Sequence, residues 1–356
     1  MTRTSGIVDT HDSIGPFVSA DSHVMEPARL LADGLPARFR DQAWTFPEPD
    51  RSDGFHEGGS NPRVRLGEMA IDGVGAEILY PTSMLKAFAL KDEALQQACF
   101  RVYNDWLVEY CSAAPDRLIG VPLISVYDID AAVAELERCR DMGMRGAQIW
   151  QAPHADLPLS SPHYDRFWRA AADMRAAVSL HILTGLGYSS QERTGIELYR
   201  GSVNLKLHEA ANALFDLIFS GVFVRHPELK IVVVENEIGW LPFVLQQWDY
   251  YFHRFREQYP LGLDKPPSRY FEDNVRVTFF HDGVGTRMLG SWGIEQCMWS
   301  NDFPHPNSTW PRSREVVARD LGHLPEESRR RLLRDNACRL YDIDAPDRLP
   351  QESSRA

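Results

Sequence analysis

The sequence predicts an α/β protein, a TIM-like (β/α)8 barrel with loop insertions after strands 1 and 5. Eight short apolar runs, near residues 18, 78, 120, 147, 180, 232, 277 and 298, recur along the chain. Helical patterns separate most of them, and strand alternating with helix implies a parallel sheet. The 356 residues suit one barrel of ~250 residues plus insertions. A doubly wound open sheet is the rival architecture. Against it, no GxGxxG follows the first run and no GxxxxGK[ST] occurs. One domain is expected over 16–345, between a frayed N-terminus (1–15) and a polar tail (346–356).

The opening run, FVSADSHVMEP from Phe17 to Pro27, reads as strand 1 with its polar residues at the C-terminal end. Residues two apart on a strand share a face, so Asp21 and His23 project together. Ala28 to Arg65 is rich in Pro, Gly and Asp and reads as irregular loop, with His56 in it. A short helix over Leu66–Val74 leads to strand 2, AEILY. Glu93–Ala113 repeats apolar residues at helical spacing. Strand 3 is Leu118–Leu123. Asp128 is placed to cap the next helix, and Gly143 to end it. Strand 4 is GAQIW, and strand 5, AVSLHI, carries His181 at its end. A second long loop, Gly185–Asn204, follows, then a helix over Leu205–Phe219. Strand 6 (LKIVVV) runs into Glu235, strand 7 (NVRVTFF) into His281, and strand 8 (QCMWS) into Asn301 and Asp302. An aromatic helix, Trp240–Tyr259, lies between strands 6 and 7, and two helices close the chain.

Composition bounds the function. With 44% apolar and 25% charged residues the chain is an ordinary globular one, and its net charge of −12 disfavours nucleic acid or an anionic membrane as partner. The five cysteines form no CxxC pair and read as reduced thiols. The N-terminus lacks an apolar signal core and no run is long enough to span a bilayer, so a cytoplasmic location is expected.

Parallel barrels work at the C-terminal ends of their strands. The polar residues there are Asp21, His23, His181, Glu235, His281 and Asp302. Two imidazoles and two carboxylates, from Asp21, His23, His181 and Asp302, suit one divalent metal ion, zinc first, with manganese or iron as alternatives. Glu235 and Asp302 are the candidates for proton transfer, and His281, His305 and Glu26 for substrate contact. Glu26 has a competing reading as a partner of backbone N–H groups or of an Arg, and His305 as structural support.

The D-x-H pair at Asp21–His23, the lone His181 and the stretch SNDFPHP (Ser300–Pro306) resemble the amidohydrolase superfamily. They are most similar to its branch of aminocarboxymuconate semialdehyde and resorcylate-type decarboxylases. The resemblance spans Val18–Asp342 and includes FSGVFVRHPELKIVVVENEIGWLP and DNACRLYDID. It implies a barrel with one divalent metal, Asp302 touching metal and water, and commonly a homodimer. Two residues depart from the pattern. Asp21 stands where the family has H-x-H or E-x-H, and Glu235 stands where the decarboxylases carry a strand-6 histidine.

The leading expectation is a metal-dependent hydrolase that activates a metal-bound water against a small cyclic or aromatic amide, lactone or carboxylate. Asp302 would move the water proton, and Glu235 or His281 would assist. The alternative is metal-dependent non-oxidative decarboxylation of an aromatic or enoic acid, with Asp302 protonating the substrate carbon. A catalytically silent ligand-binding barrel is the third reading. In each the partner is a small molecule, and the two long loops would set its size.

Overall fold

In the computed structural model, which describes residues 14–47, 56–187 and 194–350, all eight apolar runs are strands. They are β1 (Phe17–Val24), β2 (Val74–Pro81), β3 (Leu118–Gly120), β4 (Ala147–Ile149), β5 (Val178–His181), β6 (Ile231–Val234), β7 (Val275–Phe279) and β8 (Cys297–Trp299). Parallel ladders join β1–β2–β3 and β4 through β8 in chain order. Backbone hydrogen bonds cross the two seams between these sheets. Ile124 N donates to Gln148 O at 2.9 Å and Gln148 N to Pro122 O at 2.8 Å; Asp302 N donates to Asp21 O at 3.1 Å and His23 N to Phe303 O at 2.6 Å. The result is the TIM-like barrel expected.

Alternate residues of the strands fill its interior. Val18 and Ala20, then Ala76, Ile78 and Tyr80, then Val232 and Val234 form one buried cluster, closed by Ala337, Cys338 and Tyr341 of the last helix. The opposite faces join the larger core against the helices. β1 breaks this parity once. Ser19 pairs with Glu77 but Ser22 with Leu79, so β1 carries one extra residue there. Such a bulge turns the following side chains to the other face. Even-numbered Val18 and Ala20 thus point inward below it, and odd-numbered Asp21 and His23 point inward above it.

Both insertions hold more regular structure than their composition shows. The first contains a helix, Leu30–Gly34, and 3-10 turns at Ala37–Gln42 and Glu57–Gly59; 48–55 lie outside the described residues. The helix expected from Leu66 starts at Pro62 and runs to Asp72. Asn61 caps it by accepting from Arg63 N and Val64 N, and Gly73, at φ 82°, ends it. After β5, a helix begins at Ile196, widens over Leu205–Glu209 and continues to Phe219, where a loop to Asn204 was expected. Residues 188–193 of that stretch lie outside the description. Asp128 caps its helix as expected, accepting from Asp130 N and Ala131 N. The five cysteines are free thiols. Among the described residues no helix is long and apolar enough to cross a membrane.

Behind β1 lies a buried ion pair that the sequence does not announce. Arg65 Nε meets Glu77 Oε2 at 2.5 Å, and Arg65 Nη1 donates to the His23 carbonyl at 2.7 Å. Removing one partner of a buried pair strands the other charge, at a cost of about 3–5 kcal/mol. Arg65→Met is therefore expected to lower unfolding free energy by about that amount in urea titrations. A loss below about 1 kcal/mol, the scale of a surface pair, would contradict this.

Candidate metal centre

Four strand ends converge. The β1 bulge delivers Asp21 and His23, β5 ends on His181, Glu235 follows β6, and Asp302 lies beyond β8. His23 Nε2 stands 3.4 Å from Asp21 Oδ1, 3.4 Å from Asp302 Oδ1 and 3.9 Å from Glu235 Oε2. His181 Nε2 lies 3.6 Å from Asp21 Oδ1 and 3.8 Å from Glu235 Oε2. One donor atom each from Asp21, His23, His181 and Glu235 falls within 4.8 Å of the others. His23, Asp302 and His305 form a second, overlapping group.

Outer partners settle which imidazole nitrogen faces inward. His23 Nδ1 lies 2.7 Å from Pro81 O, and His181 Nδ1 2.8 Å from Ile182 O. A carbonyl can only accept, so each Nδ1 carries the proton and each Nε2 presents its lone pair to the centre. This is the usual support of a metal-binding histidine. The atoms that point inward have no hydrogen-bond partner: Asp21 Oδ1 and Oδ2, His23 Nε2, His181 Nε2 and Asp302 Oδ2. All belong to fully buried side chains. Buried polar atoms are nearly always paired. Five such atoms on four residues of one site, all able to donate electron pairs, fit a divalent cation.

The backbone is strained where two of the carboxylates project. Glu235 has φ 61° and Asp302 φ 55°, a region non-glycine residues seldom occupy. Glu235 N donates to Thr278 Oγ1 on β7 at 2.9 Å, and Asp302 N to Asp21 O across the seam. Neighbouring strands thereby hold both turns. Charge crowding then tunes the acids. Burial pushes Glu235 up to about 7, and the charges of Asp302 and Asp21 add to it. Burial likewise takes Asp302 to about 7, with Asp21 adding and the imidazoles opposing. Asp21 goes the other way: burial would raise it, but His181 and His23 hold it well below the ordinary carboxylate range.

The remaining sequence candidates separate. His305 is at the centre: its Nδ1 lies 2.8 Å from Asp302 Oδ1, its Nε2 3.2 Å from Thr82 Oγ1, and its ring 4.1 Å from that of His23. Glu26 is engaged elsewhere. Its two oxygens accept from Ser83 N and Met84 N at 2.9 and 3.0 Å, which fixes the turn after β2. His281 is exposed, with Nε2 2.9 Å from Asn307 O, because β7 ends two residues earlier, at Phe279. In this structure, then, Glu26 bonds to the turn after β2 and His281 to the Asn307 carbonyl. The structure also adds to the role expected of Glu235, which stands as close to the imidazoles as a ligand would. Lys206, which the sequence did not single out, reaches the same place from the helix after β5: its Nζ donates to Glu235 O at 3.2 Å.

A parallel barrel with nitrogen and oxygen donors gathered at its C-terminal mouth is the plan of a metal-dependent barrel enzyme. A family model described as Amidohydrolase matches residues 70–343, and the chain belongs to the amidohydrolase family. Two curated relatives are decarboxylases. Gamma-resorcylate decarboxylase of Rhizobium radiobacter is 27% identical over 304 residues, covering 79% of this chain and 87% of its own. The 2-amino-3-carboxymuconate-6-semialdehyde decarboxylase of Dictyostelium discoideum is 23% identical over 336 residues, 93% of this chain and 86% of its own. Among solved structures, 5-carboxyvanillate decarboxylase of Novosphingobium aromaticivorans superposes with a TM-score of 0.72 at 21% identity, covering 93% of this chain and 97% of that one. That structure holds manganese and 4-hydroxy-3-methoxy-5-nitrobenzoic acid.

Proposed function

We propose that this chain is a metal-dependent, non-oxidative decarboxylase of a small aromatic or enoic carboxylic acid. The relatives support this reading over the hydrolysis the sequence put first, since decarboxylation is what the names of both curated relatives state. The observation that carries it is the state of Asp302. Its carboxyl is buried, Oδ1 lies 2.8 Å from His305 Nδ1 and 3.4 Å from His23 Nε2, and Oδ2 has no hydrogen-bond partner. Burial favours its protonated form, so it is an acid poised to give a proton.

A divalent ion held by Asp21, His23, His181 and Asp302, with Glu235 beside it, would supply positive charge and Lewis acidity to the substrate carboxylate. Zinc and manganese both suit this donor set. Asp302 passes its proton to the carbon that bears the carboxylate. The bond from that carbon to the carboxylate then breaks, its electron pair returns to the ring or double bond, and CO2 leaves. Asp302, now ionised, regains a proton from solvent, with His305 beside its Oδ1.

The test is to load the protein with zinc or manganese, supply hydroxybenzoic acids in D2O, and follow CO2 and product mass. The expected result is one CO2 per arene formed and one deuterium at the vacated carbon. Hydrolysis of lactones or amides, with no CO2 from any acid, would reverse the order of the two readings.

A further inference from the structure

The centre gathers negative charge, yet the proposed substrate is itself an anion. Asp21, Glu235 and Asp302 sit at the metal site, and Glu237 lies close by, two residues beyond Glu235. Four carboxyl groups thus gather at or beside a site meant for the two charges of one divalent ion. An incoming carboxylate would meet a mouth of net negative charge.

We infer that Lys206 supplies the missing positive charge, and that through it the site selects a carboxylate over a neutral amide or lactone of the same shape. The inference rests on the decarboxylase reading for the class of acid. Lys206 sits on the widened turn Leu205–Glu209, in the element that follows β5 over the barrel mouth. Its Nζ donates to Glu235 O at 3.2 Å, stands 3.6 Å from Glu237 Oε1 and lies 5.3 Å from the centre of the Phe280 ring. These contacts come from the ends of β6 and β7, so the ammonium is fixed beside the metal site rather than swinging in solvent.

Glu237 has an explicable part in this. Its carboxylate accepts from Phe280 N and His281 N, at 3.3 and 3.4 Å, and so steers the ammonium from a fixed point. An ammonium has three N–H donors, and one is taken by the Glu235 carbonyl, which leaves capacity for a ligand oxygen. Arg65, a second cation near the site, cannot serve: it is buried behind β1 and occupied by Glu77 and the His23 carbonyl. Because the substrate keeps its charge until the carbon–carbon bond breaks, Lys206 helps the bound acid and the transition state about equally. It should act on KM more than on kcat.

The experiment is calorimetric titration of the metal-loaded protein with 2,6-dihydroxybenzoate and with neutral 2,6-dihydroxybenzamide, in wild type, Lys206→Met and Lys206→Arg. Metal content is measured in each by plasma mass spectrometry. Lys206→Met should bind the anion about tenfold or more weakly, in line with the worth of a close charge contact. Lys206→Arg should recover most of that loss, the amide should bind alike in all three, and metal content should not change. Equal binding of the anion in Lys206→Met, an equal loss for anion and amide, or no binding of the anion by wild type would each overturn the inference. Turnover is scored separately: Lys206-dependent binding without CO2 release would end the decarboxylase reading and leave this one standing.

Discussion

Asp302→Asn should lower kcat for decarboxylation by about a thousandfold, the scale of a lost general acid, and should leave the metal in place. The substitution is close to isosteric. Asn tolerates the left-handed backbone that Asp302 adopts at φ 55°, so the turn after β8 has no reason to move. The amide oxygen can still accept from His305 Nδ1, which lies 2.8 Å from Oδ1 in the native site. Asp21, His23, His181 and Glu235 remain as donors. What disappears is the acidic proton of the carboxyl. CO2 release and metal content measured on one preparation separate chemistry from site integrity. A variant that keeps its metal and more than about a tenth of wild-type kcat would remove Asp302 from the role of proton donor.

That argument begins from a residue the sequence already marked. The eight strands were legible because most are short apolar runs buried on both faces, the pattern that parallel strands require. The strand-end residues followed from the rule that barrel chemistry sits at the C-terminal mouth. The rule's limits are visible at particular residues. His281 lies two positions past the end of β7, where the chain has already turned outward, so its ring reaches Asn307 O instead of the centre. Glu26 belongs to the same opening motif as Asp21 and His23, but Ser83 N and Met84 N are contributed from beyond β2, some 57 and 58 positions away. No local pattern encodes that pairing.

The bulge in β1 is hidden for a related reason. Alternation places Asp21 and His23 on one face, but which face depends on register against β2, a non-local property. Glu235 was read as an acid or base at the end of β6. Its nearness to both imidazoles depends on a left-handed turn that an isolated sequence gives no reason to expect of Glu. Lys206 was obscured differently. It lies in the stretch read as helix from Leu205, and only the fold shows that this turn brings its ammonium to within 3.2 Å of Glu235 O, some 29 positions away.

His181→Ala should bring metal content from about one ion per chain to near zero after dialysis, since losing one imidazole removes a ligand whose outer proton is already fixed on Ile182 O. The pH dependence of loading tests the same centre independently. Glu235, at about 7 in the cation-free protein, is protonated below that pH and must release its proton when an ion binds beside it. Metal affinity should therefore rise as pH is raised through 7. The stability of the cation-free protein should move the opposite way. Glu235 and Asp302 titrate higher in the fold than their ordinary 4.5 and 3.8, so between those values and about 7 the folded chain holds more protons than the unfolded one. Folding stability then falls across that window as pH rises. A bound ion offsets the repulsion that builds up, and it stabilises further by mass action, about 4 kcal/mol at a thousand times Kd. The gap in Tm between metal-loaded and metal-free protein should accordingly be wider at pH 8 than at pH 5.5 in wild type, and nearly absent at both in His181→Ala. A gap that narrows with rising pH would show that Glu235 is not among the groups that receive the ion.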